Sequence, residues 1–303
     1  MKKKLPNFLI VGAAKSGTSS LHNYLSQHDE VFMPDYKEGG MKVKEPRFLI
    51  KDLVQHRLHN GIWEWEDYQS LFTDVRQEKA IGEATVLYLY YFEHAIQNIK
   101  KYLGEDIRIV IILRNPVDRA YSAFQHVSRG FQEENSFEEA LRIESERLDN
   151  DNSLTPMVMY KSMGLYYKMV KAYLDAFKHV HIILHEEFKD NTRLEMEKLF
   201  RFLEIKNNDT LDIFTKYNVG GKKWKSKSLK RMFLNDNILK KIFSQILPKN
   251  IRLKIRKKLV DLSMEKHTPM NEITRKMLNE FFREDVKRLS ELLNKDLTYW
   301  TQS

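Results

Sequence analysis

Cysteine is absent from all 303 residues. That absence excludes disulfides, thiolate metal centres and thiol nucleophiles together, and it fits a reducing compartment, so the expectation is a cytoplasmic chain. Long apolar runs are missing too. After MKKK the run Phe8 to Val11 stops at Gly12, too short for a signal-peptide core, and the N-terminus is read as complete. No uninterrupted stretch approaches the roughly 18 apolar residues of a membrane-spanning helix. There is no HExxH and no Walker-type magnesium hydroxyl, so no metal is expected. Acid is scarce in one place: from Lys225 to Lys258 the many lysines and arginines face only Asp236.

What is present is ordinary for a globular protein, 42% hydrophobic and 31% charged, without repeats or low-complexity tracts. The formal charge of +9 favours anionic ligands, nucleic acid or a membrane surface without choosing among them. Residues 8–11, 107–113 and 180–184 read as buried parallel strands, with 79–84 as a weaker fourth. Helical patterns fill 18–27, 88–102, 116–129, 136–148, 164–178 and 191–203, and 226–296 reads as helices only. The expected fold is α/β: a P-loop-like three-layer arrangement with a central parallel sheet flanked by helices and a helical C-terminal section from about 226 to 303. One domain over 1–303 is preferred to two.

The stretch FLIVGAAKSGTSSL at 8–21 joins a strand to a helix through a small-residue loop. Such a loop aims backbone N–H groups at one spot, and the helix N-terminus adds partial positive charge, which together make an anion cradle. Gly12 and Gly17 permit the tight path, and Thr18, Ser19 and Ser20 add hydroxyls. A Walker A loop requires its lysine directly after the second glycine. Here that position is Thr18 and the lysine is Lys15, which weakens a nucleoside-triphosphate reading and suits a cation near the bridging oxygen of a 5′ group. A plain strand-to-helix connection is the alternative.

PNFLIVGAAKSGTSSLHNYLSQH resembles the 5′-phosphosulfate-binding segment of sulfotransferases that use 3′-phosphoadenosine-5′-phosphosulfate (PAPS). IRIVIILRNPVDRAYSAFQHVSRG at 107–130 is similar to the same family's 3′-phosphate-binding segment, and further similarity runs through 164–205 and 268–300. The chain resembles in particular the bacterial carbohydrate and heparan-sulfate type of domain. The resemblance implies a PAPS donor held by Lys15, Ser16, Gly17, Thr18 and Ser19 at one end, and by Arg114 and Ser122 at the other. Arg114 leaves a buried strand at the end where open α/β sheets bind ligands, and its guanidinium can grip a phosphate with two N–H groups. An ion pair at a strand end and a helix-surface serine are the plain alternatives for these two. NVGGKKWKSKSLK at 218–230 is like the family's closing loop, with Lys222 and Lys223 as phosphate contacts unless they are simply solvated.

MKVKEPRFL at 41–49 resembles the segment that carries the glutamate base in carbohydrate-type members, which places that role on Glu45. Pro46 keeps Glu45 out of ordinary helix, and Lys44 and Arg47 stand beside it. The rival is Glu83 in IGEATVLYLYY, at a strand end expected to face the crevice, as base or as acceptor-binding residue. The acceptor implied is a carbohydrate hydroxyl; a lipid, sterol or secondary-metabolite alcohol is the alternative. More remote are a P-loop nucleotide kinase and a nucleic-acid or membrane-surface binder built on 225–258. Nucleic acid is disfavoured by sparse aromatic interleaving, while peripheral membrane contact through 225–258 stays open.

Overall fold

The computed structural model describes residues 4–34, 36–38, 41–130, 132–213, 215, 222–234, 255, 259–260 and 262–302. Five parallel strands form the central sheet: β1 (Phe8–Gly12), β2 (Val31–Phe32), β5 (Ala80–Ala84), β6 (Arg108–Leu113) and β7 (Val180–Leu184), in spatial order β2-β5-β1-β6-β7. Strand β1 is central, and its register sets Leu9 beside Glu83 on β5 and beside Ile109 on β6. Side chains that alternate along these strands enter two separate cores. Leu9, Val11, Ile109, Ile111 and Leu113 face one; Phe8, Ile10, Val110 and Ile112 face the other. With both faces apolar, the strands read as continuous hydrophobic runs, as a doubly covered parallel sheet requires.

Helix α1 (Thr18–Leu25) buries Leu21, Tyr24 and Leu25 in the second core, where α10 (His185–Asp190) adds Phe188 and α11 (Thr192–Phe202) adds Met196, Leu199 and Phe200. The first core is covered by α4 (Leu87–Tyr90), α5 (Phe92–Tyr102), α6 (Pro116–Val127), α7 (Phe137–Arg142) and α9 (Tyr166–Ala176). The helical patterns read over 88–102 and 136–148 each break once, the first at Tyr91 between α4 and α5, the second at Ile143 between α7 and α8 (Glu144–Asn150). Two short helices, α2 (Lys51–Val54) and α3 (Trp65–Ser70), and a hairpin of β3 (Tyr36–Glu38) with β4 (Met41–Val43) lie between β2 and β5.

The C-terminal section carries α12 (Lys227–Leu234) and a long helix, Glu272–Leu293, that packs against α9 and α6. It is not helical throughout. β9 (Met264–Lys266) pairs antiparallel with β8 (Lys222–Trp224), a contact between distant segments that no local hydrophobic period reveals. Among the described residues no helix is long and apolar enough to cross a membrane.

Candidate active site

The C-terminal ends of β1 and β6 open into a cleft of about 810 Å³. In an open parallel sheet this end collects the loops that bind ligands. The loop after β1 begins at Gly12, where a Cβ would lie 2.6 Å from the Leu89 Cβ, so only glycine admits this approach. It ends at Gly17, whose φ of 104° starts α1 from the left-handed region. Between them Lys15 has φ 67°, an uncommon conformation for a lysine that keeps it on the cleft wall. Gly17, Thr18 and Ser19 line the cleft at the start of α1, where backbone N–H groups lack helical partners. Ser16 departs from expectation: its side chain is fully buried under the loop near Tyr166, its N–H donates to the Ala13 carbonyl, and it is not part of the cleft lining.

Burial pushes the Lys15 ammonium down to about 8, helped by the positive charges of Arg129, Arg114 and Lys44 and opposed by Glu45. A cation so crowded by cations is arranged for an anion to enter among them. Arg114 lines the cleft and anchors the loop, with Nη1 donating to the Lys15 carbonyl at 3.1 Å. Asn115 caps α6 by accepting from the N–H groups of Val117 and Asp118, with Pro116 in the first turn. That cap fixes the helix face on which Ser122 reaches the cleft.

Sequence reasoning passed over two groups, one near the end of the same helix and one in the turn after it. His126, one turn beyond Ser122, lines the cleft, and burial followed by the Lys15 and Arg129 charges pushes its imidazole down to about 4, so it is neutral at neutral pH. Arg129 lines the cleft as well, and its Nη2 lies 3.4 Å from His126 Nδ1. The four-residue step from Ser122 to His126 was the available signal.

On the opposite wall, Lys44 and Glu45 reach the cleft from an extended turn. Lys44 Nζ donates to Thr18 Oγ1 and Ser19 Oγ, both at 3.3 Å, so the ammonium sits over the mouth of the cradle; burial lowers its proton affinity and Glu45 raises it. The Glu45 carboxylate is 3.7 Å from Arg47 Nη2. Arg47 itself has φ 60°, which bends the chain directly after Pro46.

Glu83 does not face the crevice, which corrects the sequence expectation. Its place opposite Leu9 in the parallel register turns the side chain into the first core, where it is fully buried. There it accepts from Thr85 Oγ1 at 3.1 Å and Tyr68 Oη at 3.4 Å. Burial raises its carboxyl to about 7 despite donated hydrogen bonds from Tyr88, Thr85 and Tyr68. Lys223 is outside the cleft lining, and its ammonium lies 3.3 Å from Glu265 across the β8–β9 pair; the Lys222 side chain lies outside the described residues, as do 218–221 of the closing loop. Of the basic stretch 225–258 the structure describes only 225–234 and 255.

Residues 5–290 match the family described as "Sulfotransferase domain". A crystal structure of a sulfotransferase from Alicyclobacillus acidocaldarius superimposes with a TM-score of 0.72 at 30% identity, covering 99% of this chain and 100% of that one. Carbohydrate sulfotransferase 15 of Rattus norvegicus is 24% identical over 249 residues, 66% of this chain and 44% of that protein, so the chain spans less than half the length of this curated relative. Mouse sulfotransferase SULT7A1, solved in complex with PAP, shares the fold with a TM-score of 0.51 at 15% identity, covering 95% of this chain and 87% of that one. With a five-stranded parallel sheet, a cationic cleft at its strand ends and a family match over nearly its whole length, the chain belongs to the sulfotransferase-domain family.

Proposed function

We propose that this sulfotransferase takes its sulfuryl group from PAPS and delivers it to a carbohydrate hydroxyl, with Glu45 as general base. The observation that carries the reading is the convergence of Lys15, Lys44 and Arg114 with Glu45 on one cleft, the cations at the anion cradle and the carboxylate beside it. The 5′-phosphosulfate lies on Gly17, Thr18 and Ser19 with Lys15 and Lys44 over it, and Arg114 with Ser122 holds the 3′-phosphate. The acceptor oxygen attacks sulfur as its proton passes to the Glu45 carboxylate. The oxygen–sulfur bond forms while the bond from sulfur to the 5′-phosphate oxygen breaks, and Lys15 stabilises the electron pair left on that phosphate. Neutral His126 borders the same space and is a hydrogen-bonding partner rather than a further cation.

A PAP complex of a protein with this fold supports the donor, and the likeness to a carbohydrate sulfotransferase supports the acceptor class. The lack of cysteine fits action in the cytoplasm. The test has two arms. PAP without metal should raise the melting temperature while ATP with Mg²⁺ should not, and radiolabelled sulfonate from PAPS should pass to members of a carbohydrate panel in preference to sterol and lipid alcohols. Stabilisation by ATP alone would overturn the donor, and transfer confined to lipid alcohols would overturn the acceptor.

A further inference from the structure

The turn that carries Glu45 runs into a 3-10 helix at Phe48–Ile50, and one backbone N–H from each is held from below. Arg47 N–H donates to Thr85 Oγ1 at 3.3 Å, and Leu49 N–H donates to Tyr88 Oη at 3.3 Å. A hydroxyl that accepts with a lone pair still has one proton to give. Thr85 gives its proton to Glu83 Oε2 at 3.1 Å, and the Tyr88 hydroxyl also bonds to the Glu83 side chain. Both hydroxyls are thereby oriented by one carboxylate. Glu83, Thr85 and Tyr88 are all fully buried, so no solvent competes for these bonds.

We propose that Glu83 is a positioning residue: by accepting from Thr85 and Tyr88 it turns their lone pairs toward Arg47 N–H and Leu49 N–H and so holds the Glu45 turn against the cleft. This rests on the reading of Glu45 as base. A carboxylate suits the role because it is acceptor-only when ionised, whereas an amide or a protonated carboxyl must itself donate to a neighbour. Bonds that join residues of a buried network are worth most when every member is satisfied. The groups facing Glu83 are Tyr68 from α3, Tyr88 from α4, Tyr173 from α9 and, across the turn, Glu45. Burial holds the three phenols well above their ordinary range, so they stay neutral donors while Glu83 titrates.

The test is amide hydrogen exchange on the full chain, compared among wild type, Glu83→Gln, Thr85→Val and Tyr88→Phe, with PAP binding by calorimetry alongside. Glu83→Gln should speed exchange at both Arg47 and Leu49, whereas Thr85→Val should act chiefly at Arg47 and Tyr88→Phe chiefly at Leu49. The amide of Ala13, bonded to Ile112 across β1 and β6, should keep its protection. In wild type the protection at Arg47 and Leu49 should fall as pH drops through about 7, where Glu83 takes up a proton, and Glu83→Gln should lack that step. PAP affinity should stay within about twofold, and turnover of whichever panel sugar is sulfated should drop about 10- to 100-fold in Glu83→Gln, the scale of a misplaced catalytic group. Unchanged exchange at both amides overturns the proposal, as does a loss of protection spread evenly over the sheet in all three variants, which would make Glu83 a stabilising residue only. Should PAP fail to bind wild type while the exchange pattern holds, the fault lies in the donor assignment and not in the clamp.

Discussion

Two glutamates near the cleft stand in opposite settings. Glu45 sits on an extended turn at the cleft, with Lys44 before it and the Arg47 guanidinium 3.7 Å away. Glu83 sits at the end of a central strand, closed off by Tyr68, Thr85 and Tyr88, with burial raising its carboxyl to about 7. A raised carboxyl is often taken as the mark of a general base. Here the perturbed group has no opening to the cleft, and the carboxylate that lines the cleft is the one beside cations. Access has to be settled before proton affinity is weighed.

The largest expected effect falls on the member of the pair that lines the cleft. Glu45→Gln keeps the shape but cannot take a proton, so turnover with saturating donor should fall by about 10²–10⁴ while PAP affinity survives. A larger loss from Glu83→Gln than from Glu45→Gln, measured in the same assay, would reverse the comparison. Lys15→Ala should cost roughly 10²–10³ in turnover through loss of charge at the leaving phosphate. Near-normal turnover in that variant would remove the cradle from the mechanism.

Arg114→Ala sharpens the comparison because it should act on donor binding rather than on proton transfer. It should weaken PAP binding about 10- to 100-fold, the worth of a lost hydrogen bond to a charged group, with a smaller change in turnover at saturating donor. Calorimetry that returned an unchanged affinity would move the 3′-phosphate elsewhere.

Glu83 also predicts a pH dependence of stability. Its folded value is raised from 4.5 to about 7, so the folded chain holds the proton more tightly than the unfolded chain. The stabilisation is fully present below about 4.5 and is lost as pH rises through 7, on the order of 3 kcal/mol relative to Glu83→Gln. Parallel denaturation curves for the two proteins between pH 4.5 and 8 would contradict this. The smallest effect concerns Lys15, whose ammonium is lowered to about 8. Bound phosphate restores its charge, so at pH 8 PAP binding should take up about half a proton, read as a dependence of the binding enthalpy on buffer ionisation.

The loop from β1 to α1 was legible because it is local. Gly12, Lys15 and Gly17 lie within six residues between a strand and a helix, and the same spacing that excluded a Walker lysine put Lys15 on the cleft wall. Arg114, Asn115 and Pro116 are equally compact, and the cap and first turn they specify are present. Buried strands were visible as apolar runs because both faces of the sheet are covered. Less was legible where partners are far apart in the chain: the β8–β9 pair, the burial of Ser16 beneath its own loop, and the salt bridge of Lys223 with Glu265.

By itself the sequence determined the alternation of strands and helices, the loop between β1 and α1 and the family, since each depends on residues a few positions apart and on the periods of strand and helix. The tertiary structure alone decided what each glutamate can do. Parallel register with Leu9 turns Glu83 inward, and contacts across some 40 residues, from Thr85 to Arg47 and from Tyr88 to Leu49, set the turn that presents Glu45. The physical reason is that a side chain's access to solvent and substrate depends on which face of the sheet it leaves and on what packs there, and neither is encoded within its own neighbourhood of the chain.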